Sequence, residues 1–186
     1  MCIRDRSPPG WMKKNKKMKN SAHIGLLQDD AIFQAYALYL SKYISAYKDE
    51  ASIDISYLTI QNEPHVAGQF MVIYECCGFD GPAERDFLKN YLGPQLRKDH
   101  PELKILINDD QKDFMMDFVT AILDDTEAAQ YVDGIAFHWY GSFLKNYQDL
   151  ADVHEKYPSI PLYATEATLE KPWLQKITGK VWEQGS

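Results

Sequence analysis

Residues 56–64 read SYLTIQNEP. The first six, Ser56 to Gln61, are a short β-rich run of the kind that forms a buried strand. The run breaks off into Asn62, Glu63 and Pro64. The same pattern returns three times: Leu103 to Asn108 (LKILIN) leads into Asp109-Asp110-Gln111, Gly134 to His138 (GIAFH) into Trp139-Tyr140, and Leu162 to Thr165 (LYAT) into Glu166. Helical composition fills the gaps. Pro82 to Lys98 is one such stretch, with Gly93-Pro94 expected to kink or split it. Phe114 to Leu123, Glu127 to Tyr131, and Tyr147 to Tyr157 are others, the last ended by Pro158, and a further helix is expected from Lys171. Upstream, Asp29 to Glu50 carries Ile32, Tyr36, Tyr39, Leu40, Tyr43 and Tyr47 at helical spacing, with Asp29 and Asp30 where the helix dipole favours acids.

Short apolar strands alternating with helices imply parallel βαβ units, since a parallel strand returns only through a crossover. A closed barrel and an open doubly wound sheet both satisfy this pattern. The polar residues separate them. Every run delivers functional side chains at its C-terminal end, the face on which a barrel builds its site from several strands. An open sheet gathers its ligand at one switch point, usually with a glycine-rich phosphate loop, and neither a GxGxxG nor a Walker-type loop occurs here. The expected fold is therefore α/β, a β/α barrel.

The 186 residues suffice for one domain with a sizeable core. Hydrophobic content of 45% and charged content of 25% are those of an ordinary globular protein. A net charge of −7 argues against a nucleic-acid partner, which wants a basic face. No apolar run approaches the roughly 18 residues of a membrane span, and no signal peptide is visible. Lys13 to Lys19 reads as a solvated loop, although a headgroup or nucleic-acid role is conceivable for its lysines. Cys76 and Cys77 are adjacent and read as unpaired thiols, with no second CxxC to build a zinc set. Met1 to Arg6 resembles a translated adapter end. It is set aside from the fold, leaving residues 7–186 as the domain, with the native N-terminus and any targeting signal expected upstream.

Two strand-end carboxylates, Glu63 and Glu166, suit hydrolysis of a glycosidic bond. One carboxylic acid protonates the leaving oxygen, and the other attacks the oxocarbenium-like centre or activates water. Counting the first run as strand four makes the fourth run strand seven. Facing positions across a barrel mouth can bring two carboxyls to the roughly 5–5.5 Å of a retaining mechanism. Asn62 is placed to bond a sugar 2-hydroxyl, which makes Glu63 the acid/base and Glu166 the nucleophile. His138 and Tyr140 are placed to hold the Glu166 carboxylate. Trp11 and Trp139 are candidate platforms for the apolar face of a pyranose. Taken singly, a strand-end Glu is more often a salt-bridged surface residue, and a lone His or Trp a core residue; the set gains force from recurring on consecutive strands. A divalent-ion site on Glu63, Asp109, Asp110, His138 and Glu166 is the second reading, although no HExxH spacing supports it.

LTIQNEP (58–64), SPPGWMK (7–13), LINDDQ (106–111), DGIAFHWY (133–140) and ATEA (164–167), in this order, resemble glycoside hydrolase family 30, most of all its glucosylceramidase branch. The likeness runs from Ser7 to about Trp182. It implies a partial TIM barrel, about strands 3/4 to 7, with strands 1, 2 and 8 and a β-sandwich domain outside this chain. It implies Glu63 as acid/base and Glu166 as nucleophile, with Trp11, Asn62, Gln111, Trp139 and Tyr140 lining a glucose subsite. It also implies hydrolysis of β-glucosylceramide to glucose and ceramide without a metal cofactor, a secreted or lysosomal protein, and peripheral contact with a lipid surface. Family members acting on β-1,6-glucan or xylan, and a non-catalytic carbohydrate-binding fragment, are the alternatives. The 186-residue chain alone is expected to be inactive. It departs from the pattern in His65 to Tyr74, which lacks an aromatic-rich loop, and in Ala167-Thr168, where the vertebrate-like branch has Ala-Cys.

Overall fold

The computed structural model describes residues 2–3, 7–69, 74–140 and 146–167. In chain order the elements are β1 (Cys2–Ile3), a 3-10 turn (Gly10–Met12), α1 (Asp30–Ala51), β2 (Tyr57–Thr59), α2 (Pro64–Gln69), α3 (Gly81–Phe87), a π turn (Leu88–Leu92), α4 (Gly93–Asp99), β3 (Lys104–Gln111), α5 (Met115–Leu123), α6 (Thr126–Ala129), β4 (Gly134–His138), α7 (Asn146–Lys156) and β5 (Leu162–Glu166). The strands form one sheet in the order β1-β2-β3-β4-β5, and every neighbouring pair is parallel.

Alternate strand residues point outward to the helices. Leu58, Ile105, Ile107 and Ile135 join Tyr36, Leu40, Phe87, Leu92, Phe118, Val119 and Ile122 in one buried cluster. Each such side chain contributes about 1.5–3 kcal/mol by leaving water. The opposite face is concave. The rings of Tyr57 on β2 and Tyr163 on β5 lie 5.4 Å apart although β3 and β4 separate their strands. In a flat sheet three strand spacings would hold them about 14 Å apart. The sheet is therefore curled as in a barrel, and its concave face is filled by side chains. A Cβ on Gly134 would meet Tyr163 at 2.5 Å and Leu106 at 2.9 Å, so only glycine lets β4 pass that closely.

Helix ends follow their local chemistry. The Asp29 carboxylate accepts from the Ala31 N–H at 2.8 Å to start α1, and Ser52 ends it in the left-handed region at φ 55°. Asp80 and Asp125 cap α3 and α6 in the same way. The break expected at Gly93-Pro94 is a π turn directly before it. The widened turn accommodates the proline without ending the helix, and Gly93 is pressed against the Tyr131 ring.

Several sequence expectations shift. The first predicted strand, 56–61, contracts to Tyr57–Thr59, while the second lengthens to Gln111. The loop expected after Glu63 begins with the short helix α2, where proline at the first helical position is favourable. Cys2–Ile3, set aside on sequence, pairs with Tyr57–Leu58 at the sheet edge. Such pairing uses backbone groups alone and so needs no particular side chains. Lys13 is not solvated but buried. Cys76 and Cys77 are free thiols and both buried. Burial pushes the Cys77 thiol up to about 12. The helix expected from Lys171 and the Thr168 departure lie outside the described residues.

Candidate active site

The chain leaves β2 through Gln61 and Asn62 and turns sharply at Glu63, whose φ is +47°. Two bonds hold this turn. The Glu63 N–H donates to the Asp109 carbonyl at 2.9 Å, and the Glu63 carbonyl accepts from Ala67 at 2.8 Å. Asp110 anchors the start of α2. One of its oxygens accepts the His65 and Val66 N–H groups at 2.7 and 3.2 Å, and the other accepts its neighbour Gln111's N–H at 2.7 Å. A β3 carboxylate thus caps the helix that begins after Glu63. Burial pushes the Asp110 carboxyl up to about 7. The charge of Glu63 adds to the rise, and the three N–H donors oppose it.

β3 carries a bulge at the same level. Asn108 and Asp109 sit at φ 74° and 48°, and the register against β4 slips between Asn108 and Asp110. The bulge turns Asp109 into the concave face. There its carboxylate accepts from Thr59 on β2 at 2.7 Å, from His138 Nε2 on β4 at 3.2 Å and from Thr165 on β5 at 2.6 Å. One buried carboxylate therefore ties four strands together. Burial opposes its charge, but the His138, Thr165 and Thr59 bonds prevail and hold Asp109 below the usual carboxylate range.

His138, fully buried, faces Glu63 with its other nitrogen, Nδ1 lying 3.4 Å from Glu63 Oε1. Burial disfavours the imidazolium. The bonds to Asp109 and Glu63, with the charges of Asp109 and Glu166, outweigh it and raise the imidazole to about 9. The second Glu63 oxygen accepts the Tyr74 hydroxyl. Desolvation and the Glu63 carboxylate push the Tyr74 phenol upward, so it stays a donor. Glu166 closes the cluster from the end of β5. One ligand-type atom each of Glu63, His138 and Glu166 lies within 4.8 Å of the others. The Trp139 N–H donates to the Glu166 carbonyl at 3.1 Å and sets β4 and β5 in step at the mouth.

The remaining predicted residues divide. Asn62 is buried beside Glu63, and its Oδ1 has no hydrogen-bond partner among the described residues, so an acceptor stands ready for a donor from outside. Gln111 lies opposite His138 in the β3–β4 register. Tyr140 meets the His138 ring edge-on at 5.9 Å. Trp139 is 46% exposed at the strand end. Trp11 sits on the 3-10 turn and is 61% exposed. His138 bonds Glu63 and Asp109, and it also lies within 4.8 Å of Glu166, the carboxylate at which the sequence reading directed it.

The cation reading weakens on the same geometry. Of its five ligands, Asp109 is spent on Thr59, His138 and Thr165, and Asp110 on backbone N–H groups. His138 faces a carboxylate with each nitrogen, which leaves Glu63, His138 and Glu166 as the members of that set whose ligand-type atoms lie within 4.8 Å of one another.

Four contributors escaped the sequence reading. Tyr74 reaches Glu63 from 11 residues away in the sequence, and no spacing rule finds such a contact. Thr165 and Thr59 read as ordinary strand residues; only the bulge at Asp109 brings them together. Lys112 is 3% exposed, and its ammonium donates to the carbonyls of His138 and Tyr140, both at 3.3 Å, and of Trp139. It gathers the end of β4 that carries the aromatic pair. A hint was available, because a lysine directly after a polar strand end has carbonyl ends of neighbouring strands within reach.

Comparison with known proteins agrees with the fold described above. The model of the glycosyl hydrolase family 30 TIM-barrel domain matches residues 3–185. A Caenorhabditis elegans protein provisionally named glucosylceramidase 4 is 40% identical over 163 residues, 87% of this chain and 31% of that protein. The lysosomal acid glucosylceramidase of Mus musculus is 33% identical over 95% of this chain and 35% of its own length. The solved structure of an endo-β1,6-glucanase superposes with a TM-score of 0.76 at 30% identity, covering 90% of this chain and 37% of that one. The chain thus spans about a third of the length of the relatives it matches. The strand-end carboxylates on a curled parallel sheet and the family match lead to one conclusion: this chain belongs to glycosyl hydrolase family 30, within its TIM-barrel domain.

Proposed function

We propose that the protein is a retaining β-glycoside hydrolase, with Glu63 as acid/base and Glu166 as nucleophile, acting as a glucosylceramidase. The observation that carries this is the approach of the two carboxylates within 4.8 Å across the mouth of a curled sheet. That separation suits double displacement, where no water has to fit between the nucleophile and the sugar. In the first step the Glu63 proton passes to the glycosidic oxygen as the bond to the anomeric carbon breaks, and Glu166 bonds that carbon. In the second step Glu63 takes a proton from water, the water oxygen bonds the anomeric carbon, and Glu166 leaves as carboxylate. The Asp109–His138 pair and Tyr74 orient the Glu63 carboxyl throughout. Asn62 Oδ1 is available to a sugar hydroxyl, and Trp139 to a pyranose face.

The glucosylceramide assignment follows the names of the C. elegans and mouse relatives. A β-1,6-glucan is the second reading, favoured by the 33% identity to a Neurospora crassa endo-1,6-β-D-glucanase over 90% of this chain. Incubating the full-length protein with a cyclophilitol probe and mapping the adduct by mass spectrometry tests the mechanism. A glycosyl-type ester on Glu166 is expected; labelling elsewhere, or none, refutes the assignment. Turnover of glucosylceramide against a β-1,6-linked glucan, measured side by side, decides the substrate.

A further inference from the structure

α2 begins at Pro64, so Glu63 occupies the capping position before it. A residue at that position ordinarily turns its own side-chain oxygen back onto the N–H groups two and three places on, here those of His65 and Val66. Both of these N–H groups donate to one oxygen of Asp110 on β3, at 2.7 and 3.2 Å. The Glu63 oxygens face His138 and Tyr74. The second Asp110 oxygen accepts the Gln111 N–H at 2.7 Å, which fixes the plane of the carboxyl group. Asp110 is fully buried, and three N–H donors stand in for the water it has lost.

The same turn is gripped from both sides. The Glu63 N–H donates to the Asp109 carbonyl at 2.9 Å, and the Phe79 N–H donates to the Pro64 carbonyl at 3.1 Å. The His65 ring stacks on Phe114 at 4.0 Å. Glu63 needs this grip, because its φ of +47° persists in a non-glycine residue only where the surroundings over-determine it. A helix of six residues does not hold its first turn unaided.

We propose that Asp110 is a positioning residue for the acid/base: it caps α2 in place of Glu63, and this leaves the Glu63 carboxyl free to point into the mouth. The inference rests on the acid/base reading given above and adds the group that holds Glu63 in place. Without Asp110, the His65 and Val66 N–H groups lack an acceptor, and the Glu63 carboxylate is the one nearest along the chain. An oxygen drawn back to them is withdrawn from the glycosidic oxygen. The fault expected is poor proton delivery, with the nucleophile and the sugar pocket intact.

Leaving-group dependence in the full-length protein reads that fault. Departure of phenolate from a phenyl β-glucoside needs the Glu63 proton, whereas dinitrophenolate leaves without it. The ratio of the two kcat/KM values on one sample does not depend on the fraction folded. Asp110→Asn keeps one acceptor but turns an amide group toward an N–H donor. It should lower kcat/KM roughly 10- to 100-fold for the phenyl glucoside and less than about threefold for the dinitrophenyl glucoside. Asp110→Ser, which offers one short acceptor, should show the same asymmetry. Asp80→Asn, which weakens the cap of α3, should leave the ratio unchanged. Glu63→Gln serves as the reference and should be more asymmetric than either Asp110 variant. Equal slowing of both substrates by Glu63→Gln would overturn the acid/base assignment and this proposal with it. Asymmetry in Glu63→Gln but an unchanged ratio in both Asp110 variants would overturn the role of Asp110 alone.

Discussion

Glu84, on α3, is fully buried beneath the β3 bulge. One of its oxygens accepts the Asn108 N–H at 3.1 Å, and the other has no partner among the described residues. Burial pushes its carboxyl well above the usual range; the Asn108 bond opposes this, and Asp109 and Asp110 add repulsion. The acid is therefore a neutral brace, and Glu84→Gln should keep the brace while removing the proton. The sign follows from proton counting. Between the unfolded-state pKa, about 4.3, and the raised folded-state value, the native protein holds a proton that the unfolded chain has lost. Wild-type stability thus falls by about 1.4 kcal/mol per pH unit from this group, and the variant lacks that fall. With an m-value of about 2 kcal/mol/M, the urea midpoints should separate by roughly 0.7 M per pH unit as pH rises from about 5, the variant being more stable. Near pH 4 the two should lie within about 1 kcal/mol, because Gln keeps the acceptor for Asn108. Urea titrations at several pH values read this directly. Asp110 and His138 titrate in both proteins and largely cancel in the difference. Parallel midpoint-against-pH curves would refute the neutral-brace reasoning.

The His138 imidazole should titrate near pH 9 by NMR. Its contribution to stability should be complete below about 6.5 and be lost as pH rises towards 9, and His138→Gln should flatten that fall. Lys112→Met leaves three carbonyls at the end of β4 without their donor and should cost about 1–3 kcal/mol in urea unfolding. Asn62→Ala in the full-length protein should lower kcat/KM about 10- to 100-fold through a lost sugar contact, with the unfolding midpoint little changed. A midpoint drop that matches the activity loss would make Asn62 structural instead.

Much of the fold was legible because strands and helices differ in hydrophobic period and turn chemistry. Asp29 and Pro158 marked real helix boundaries, and GIAFH at 134–138 became β4 with no change of bounds. Element ends were less legible where tertiary contacts decide them. β3 runs on through Asp109-Asp110-Gln111 because β4 pairs with it beyond the bulge, which a polar string would not suggest. Lys13 read as part of a solvated loop, and Lys112 drew no reading from the sequence. Only the folded chain gathers enough carbonyls around each to replace its hydration.

The site divides along the same line. The sequence determined that Asn62, Glu63, His138 and Glu166 lie at the ends of parallel strands, because strand direction and spacing are local properties. Tertiary structure decided what each end faces. The curl of the sheet carries β5 round to β2 and brings Glu166 to within 4.8 Å of Glu63. The bulge at Asn108 and Asp109 turns one carboxylate inward to bind Thr59, His138 and Thr165 from three other strands. Tyr74, later in the chain than α2, donates its hydroxyl to Glu63. These contacts join residues 11 to 103 positions apart, over which no periodicity in the chain carries information, and only packing in three dimensions selects them.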